Sequence, residues 1–361
     1  MIERGEGIRS HYEQWMSEDS LLGPQGEYFE GSCFANYGFW ETGTKGAREA
    51  CENLMEKLLS MVPDKSGTIL DVACGVGATT RHLLKSYAPE RVTAVDLAEK
   101  NLEVARRNAP GCAFRQMNAT RLDFPATTFD TVICVEAAFH FQPRSRFISE
   151  ARRVLKPGGR LILADILCER WADSFSRMLH PENHVRDPKA YGAMLARAGF
   201  DPPEVIDATE ESWVRSNRSI TRYLCGLYRQ ERIDRAAYNK FMTRRLVSTL
   251  STRYYVLAAA VKPLAERAEE GETIGAEETS LPGPEWLGAS PDKPNGFRTL
   301  VQHARLAGAE RGMRLRRMAR LEEAWARMLT RDGDKRSARK HAAKALLYLE
   351  AARALRGSRR D

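Results

Sequence analysis

The sequence predicts an α/β fold built on a doubly wound, mostly parallel sheet, and three observations carry that prediction. Short apolar runs alternate with helix-patterned stretches from about residue 67 onward. Successive runs are spaced at roughly 20 to 30 residues, the length of a strand–helix unit. The first run ends in a glycine-rich turn that opens a helical stretch, and the second ends in an aspartate.

Taken in order, the predicted strands are 68–72, 92–96, 112–116, 131–135 and 160–166, with helices near 78–87, 98–108 and 143–155 between them. Pro157-Gly158-Gly159 reads as a tight turn feeding the fifth strand. A helix around 187–199 and a short run at 204–208 follow. A helical insertion of about 209–250 then precedes an all-apolar strand at 254–261. An insertion placed there sits over the carboxyl edge of the sheet, where open α/β folds bind ligands. Residues 264–294 are acidic and rich in Gly, Pro and Ser, which reads as a linker. Beyond it, 297–330 and 336–356 have the Ala/Leu/Arg composition of two helices.

Composition narrows the class of protein. Hydrophobic residues make up 43% of 361, enough for a substantial core, yet no run of eighteen apolar residues predicts a membrane span. The N-terminal stretch is charged and lacks the apolar region of a secretion signal. Seven cysteines (33, 51, 74, 112, 134, 168 and 225) without a C-x-x-C pair read as reduced thiols, so the expected compartment is the cytoplasm. The net charge of +8 is unevenly placed: residues 295–361 carry 18 Lys/Arg against 7 Asp/Glu, and the remainder 38 against 41. The main body therefore has no electrostatic reason to seek nucleic acid.

The strongest motif is Asp71-Val72-Ala73-Cys74-Gly75-Val76-Gly77, a strand running into a glycine turn whose backbone N–H groups and following helix face the cleft. Asp96 stands at the end of the second strand, where a carboxylate accepts the hydroxyls of a ribose. Glycine turns alone are often mere connectors; the pair, in frame with the strand spacing, points to a nucleoside cofactor. A dinucleotide fingerprint needs a third glycine where this chain has Thr80, and Asp71 within the turn would repel a pyrophosphate. The same carboxylate suits the cationic ammonium of a methionine group.

Over about residues 28–263 the chain resembles class I S-adenosylmethionine-dependent methyltransferases, and among them small-molecule enzymes acting on sugars and polyketides. Asp71–Gly77 is similar to their first motif, with Ala73 where many members have glycine. The stretch around Asp96 and Leu97 resembles the second, and Phe114-Arg115-Gln116-Met117-Asn118-Ala119 the adenine-facing segment, with Asn118 where Asp is usual. Phe129–Val132 and Leu155–Leu161 match the fourth strand and the turn before the fifth. The resemblance implies seven strands with the last antiparallel, and S-adenosylmethionine held by Asp71, Ala73, Gly75, Gly77, Asp96, Leu97, Asn118, Ala119 and Val135. It further implies that the aromatic N-terminal segment, including Tyr28 and Trp40, closes over the cofactor; the competing reading makes these ordinary core aromatics. The resulting division is a lid segment at 1–66, a core with its cap at 67–263, the linker, and a basic helical tail at 295–361.

Methyl transfer from a sulfonium is an in-line displacement, and a hydroxyl acceptor benefits from a base. His140, just past the fourth strand in Glu136-Ala137-Ala138-Phe139-His140-Phe141, is the expected base or acceptor-orienting group. Asp165, ending the fifth strand on the same edge, could orient it or simply cap a loop. Glu136 is expected to be structural or cofactor-facing. His180 and His184 have i,i+4 spacing, but Pro181 between them and the want of a third ligand argue against a metal. In the tail, Leu315, Met318, Leu321 and Trp325 form an apolar stripe beside the arginines, the mark of an accessory helical module. The expected partner is a small-molecule acceptor, most simply a natural-product hydroxyl. Nucleic-acid contact through the tail and a homodimer stay open. The rivals are a C-methyltransferase acting on an isoprenoid-like chain, an RNA methyltransferase, and a non-catalytic binding module.

Overall fold

The computed structural model describes residues 22–23, 25–169 and 180–264. The chain divides into two units, Met1–Thr273 and Ile274–Asp361, and every described residue belongs to the first. The predicted basic tail and all but Leu264 of the predicted linker lie outside the described residues.

A 3₁₀ turn at Glu27–Phe29 and an extended segment lead into helix α1 (Ala47–Leu59). Ala50, Leu54, Met55, Leu58 and Leu59 recur at three- and four-residue spacing along α1 and are all buried. The core follows as β1 (Ile69–Val72), α2 (Ala78–Leu83), β2 (Val92–Asp96), α3 (Glu99–Asn108), β3 (Ala113–Gln116), β4 (Phe129–Val135), α4 (Arg144–Val154) and β5 (Leu155–Cys168). After it come α5 (Pro188–Arg197), β6 (Glu204–Asp207), a π-helical turn at Thr209–Val214, α6 (Arg215–Arg229), α7 (Arg235–Ser251) and β7 (Thr252–Val261).

The seven strands form one sheet in the order β3-β2-β1-β4-β5-β7-β6. Strands β1 to β5 pair in parallel, and β7 runs antiparallel between β5 and β6. All four residues of β1 are buried, and β4 and β5 contribute Val132, Ile133, Cys134, Leu161, Ile162 and Leu163 with no exposed surface. Such continuous apolar runs are what a sheet covered on both faces requires. The chain winds outward from β1 to β3 and then crosses to β4 on the other side of β1. That reversal opens a crevice at the carboxyl ends of β1 and β4.

Two local predictions differ from the structure. The helix expected over 78–87 is α-helical only to Leu83; i→i+3 hydrogen-bonded turns carry the chain through Ser86, and Ala88 before Pro89 is extended, as proline imposes on its predecessor. The Pro157-Gly158-Gly159 turn is absorbed into β5 as a bulge: Phe129 pairs with Leu155 while Thr131 pairs with Arg160. A Cβ on Gly159 would lie 2.8 Å from the Lys156 carbonyl, so only glycine fits that crowded step.

Candidate active site

A cavity of about 510 Å³ occupies the crevice at the carboxyl ends of β1, β2 and β4. Ala73, Cys74 and Gly75 of the glycine loop line it, with Asp96 and Leu97 from the end of β2 and Met117–Thr120 after β3. Val135, Glu136, His140 and Gln142 line it from beyond β4, and Cys33–Asn36 close it from the N-terminal segment. Of the residues expected from the sequence, the cavity thus brings together Ala73, Gly75, Asp96, Leu97, Asn118, Ala119, Val135 and His140.

The glycine loop is tied to the strand beside it. Cys74 N donates to Val95 O at 3.1 Å and Gly75 N to Asp96 Oδ2 at 2.9 Å. The second oxygen of Asp96 accepts from Ala98 N at 2.9 Å. Burial nevertheless raises the Asp96 carboxyl above its ordinary range, outweighing these hydrogen bonds. Ala73 holds the loop at φ +61°, a left-handed conformation that costs a Cβ-bearing residue of order 1 kcal/mol.

Five expected residues stand elsewhere. Asp71 is buried below the loop, where its Oδ2 accepts from the hydroxyls of Thr79 at 2.8 Å and Thr80 at 2.7 Å. Burial lifts its carboxyl to about 6, and its oxygen fastens α2 to β1 rather than facing the cavity. Gly77 starts α2 at φ +82°, and a Cβ there would lie 2.8 Å from that of Ala105, so this glycine permits α2 to approach α3. Tyr28 packs on Tyr223 of α6 with ring centroids 5.3 Å apart. Trp40 donates from Nε1 to Tyr37 O at 2.8 Å, and its carbonyl accepts from Arg215. Tyr28 meets the helical cap through its ring and Trp40 through its backbone; among the described residues Cys33–Asn36 are the part of the segment that reaches the cavity.

The fifth is Asp165, fully buried and 2.8 Å from Arg144 Nε. It also accepts from Tyr191 Oη at 2.9 Å and from the Phe139 N–H. It therefore reaches the His140 turn through backbone. Arg144, itself 1% exposed, donates to the carbonyls of Asn183 and Ile166. Asn183 in turn donates to the carbonyls of Phe139 and Phe141, one on each side of His140. Arg144 and Asn183 thus position the turn, and neither carries a sequence signal beyond its residue type. His140, on the Ala138–His140 3₁₀ turn, is 8% exposed with its ring 3.8 Å from that of Phe139.

Two further features refine the expectations. Asn118 Oδ1, in the segment expected to face the adenine, accepts from Thr120 N and Oγ1, both at 2.9 Å. Its NH₂ is then the group left for a base. His180 and His184 flank a 3₁₀ turn at Pro181–Asn183 rather than sharing a helix face.

Glu136, given a minor role by sequence, lines the cavity at φ +53°. Its Oε1 accepts from Tyr37 N and Tyr255 Oη, each at 2.7 Å. Burial, reinforced by the charge of Asp165, pushes its carboxyl up to about 8. The folded protein therefore holds this proton more tightly than the unfolded chain. Stability from this group is full below about pH 4.5 and declines as pH rises toward 8. Glu136→Gln should flatten the fall of melting temperature between pH 5 and 8; an unchanged slope would show the carboxyl to be ionised throughout.

Comparison with known proteins adds the following. The methyltransferase-domain family matches residues 70–163. Erythromycin 3''-O-methyltransferase of Saccharopolyspora erythraea is 32% identical over 206 residues, covering 50% of this chain and 67% of that one. The 27-O-demethylrifamycin SV methyltransferase of Amycolatopsis mediterranei is 29% identical, over 63% of this chain and 89% of that one. Among solved structures, a geranyl diphosphate methyltransferase in complex with GPP and sinefungin shares the fold with a TM-score of 0.56. That likeness is at 18% identity and covers 72% of this chain and 99% of that one.

Proposed function

Since this chain belongs to the class I S-adenosylmethionine-dependent methyltransferases, we propose that it methylates an oxygen of a hydroxylated, natural-product-like molecule, with His140 as the base. Its cofactor is S-adenosylmethionine and its substrates are small molecules. The oxygen assignment draws on the two antibiotic O-methyltransferases it is similar to. The observation that carries the reading is the joining of Gly75, Asp96 and Asn118 with His140 around one cavity.

The residues present fit the cofactor. Gln142 Nε2 is buried in the same cavity wall without a hydrogen-bond partner, a donor awaiting an acceptor. S-adenosylmethionine supplies an electrophilic methyl group on a sulfonium. In this reading Asp96 accepts the ribose hydroxyls, and the Gly75 loop faces the methionine moiety. Asn118 NH₂ and the Ala119 backbone meet the adenine, while Leu97 and Val135 pack against it. His140 takes the proton from the acceptor hydroxyl as the oxygen attacks. The Arg144–Asp165–Asn183 network keeps its turn in place.

The test is methyl transfer from labelled S-adenosylmethionine to a panel of hydroxylated acceptors. His140→Ala should lower kcat by about 100-fold or more, the usual contribution of a positioned base, with affinity for S-adenosylhomocysteine unchanged. A second reading, C-methylation of an isoprenoid-like chain, is favoured by Phe34 and Phe141 in the cavity wall, since aromatic faces steady a carbocation. Transfer that survives His140→Ala but is lost in Phe141→Ala would select it.

A further inference from the structure

The cap holds a guanidinium with a buried Nε that pairs with no carboxylate among the described residues. Arg245 of α7 donates to Asn217 Oδ1 of α6, and that oxygen also accepts from Thr249 Oγ1 at 3.4 Å. Asn217 is itself fixed by donating to Trp213 O at 2.7 Å. Arg245 Nε is buried and has no hydrogen-bond partner. Among the described residues no carboxylate pairs with this guanidinium, whereas Arg218 and Arg232 of the same cap pair with Glu210 at 2.9 Å and Glu27 at 2.6 Å. An uncompensated buried charge is costly, and a fold keeps one where something else supplies the opposite charge.

The surroundings locate that something beside the cavity. The guanidinium charge acts on the phenols of Tyr28 and Tyr37, and it opposes the burial that drives both up to about 12. The Tyr37 ring lies 4.5 Å from Trp213, and its N–H holds Glu136, which lines the cavity with Asn36. Arg245, Tyr37 and Glu136 each keep some accessible surface, and Glu136 lines the cavity.

We propose that Arg245, held by Asn217, recognises a carboxylate on the acceptor. This deepens the methyltransferase reading and rests on it, since it places the acceptor on the Glu136 side of the cavity. A planar guanidinium matches a carboxylate in charge and in hydrogen-bond geometry, and its free Nε–H is one of the donors such a pair uses. A phosphate monoester carries nearly two charges, whereas the Arg245 guanidinium carries one.

The test uses the full-length protein loaded with S-adenosylhomocysteine, with benzoate as the anionic probe and benzamide as its neutral counterpart. Benzoate should raise the melting temperature and benzamide should not. Arg245→Gln should weaken the apparent affinity for benzoate by about tenfold or more, the usual effect of losing a charged hydrogen-bond donor, at unchanged S-adenosylhomocysteine affinity. Asn217→Asp supplies an internal counter-ion without removing the guanidinium and should have the same effect. Equal stabilisation by benzamide, a benzoate response that both variants keep, or a response to inorganic phosphate alone would overturn the proposal. So would loss of S-adenosylhomocysteine affinity in Arg245→Gln, which would give the guanidinium to the methionine carboxylate. Because benzoate binding involves no methyl transfer, the outcome stands apart from whether His140 is the base.

Discussion

Asp96→Ala should lower the affinity for S-adenosylhomocysteine by about 100-fold or more. A carboxylate accepting two ribose hydroxyls makes two charge-assisted hydrogen bonds worth about 1.5–3 kcal/mol each, and every 1.4 kcal/mol is a factor of ten. The substitution also frees Gly75 N and Ala98 N, which Asp96 holds at 2.9 Å, so the loop loses its anchor together with the ligand contact. Calorimetric titration of wild type and variant measures the effect. An affinity within threefold of wild type would remove Asp96 from the nucleoside site, and with it the assignment of the cavity. Titration with NAD is the companion measurement, and no binding is expected, since Thr80 replaces the third glycine and Asp71 lies beneath the loop.

Asp165→Ala should destabilise the protein by about 3–5 kcal/mol, the range for removing one partner of a buried ion pair. Arg144 would keep its charge at 1% exposure against the carbonyls of Asn183 and Ile166 and the Tyr191 ring, and Tyr191 Oη would lose its acceptor. In a domain of this size the corresponding fall in melting temperature is about 10 °C or more. The variant also separates two roles that the sequence left equally open. As a positioning residue, Asp165 sets the His140 turn through the Phe139 N–H and the Arg144–Asn183 links. Its loss should therefore show first in stability, with KM for the acceptor affected little in the folded fraction. Unchanged melting with abolished transfer would make Asp165 a catalytic residue after all.

Much of the fold was legible because it is written in local pattern. Continuous apolar runs mark β1, β4 and β5, and a strand that must be buried on both faces has few other compositions open to it. The Asp71–Gly77 loop was equally plain, since a tight turn against a helix start demands glycine, and Asp96 ends β2 where the strand spacing put it. The expected antiparallel final strand came from family resemblance rather than from periodicity, and β7 confirms it between β5 and β6.

What local pattern does not contain is which side chain meets which across the chain. Asp71 and Asp96 look alike in sequence, yet one is spent on Thr79 and Thr80 while the other borders the cavity. Tyr28 and Trp40 carry the aromatic signal of a lid, but their partners are cap residues some 170 to 200 positions later, the Tyr223 ring for Tyr28 and the Arg215 side chain for the Trp40 carbonyl. Glu136, Asn183 and Arg245 gain their significance from enclosure alone. By itself the sequence determined the sheet, the glycine loop and the position of His140 just past β4, because backbone geometry and burial on a strand or turn constrain residues close together in the chain. Only the tertiary structure decided which polar groups are spent on one another and which are left facing the cavity. That depends on the desolvation cost of each group and on partners supplied by distant segments.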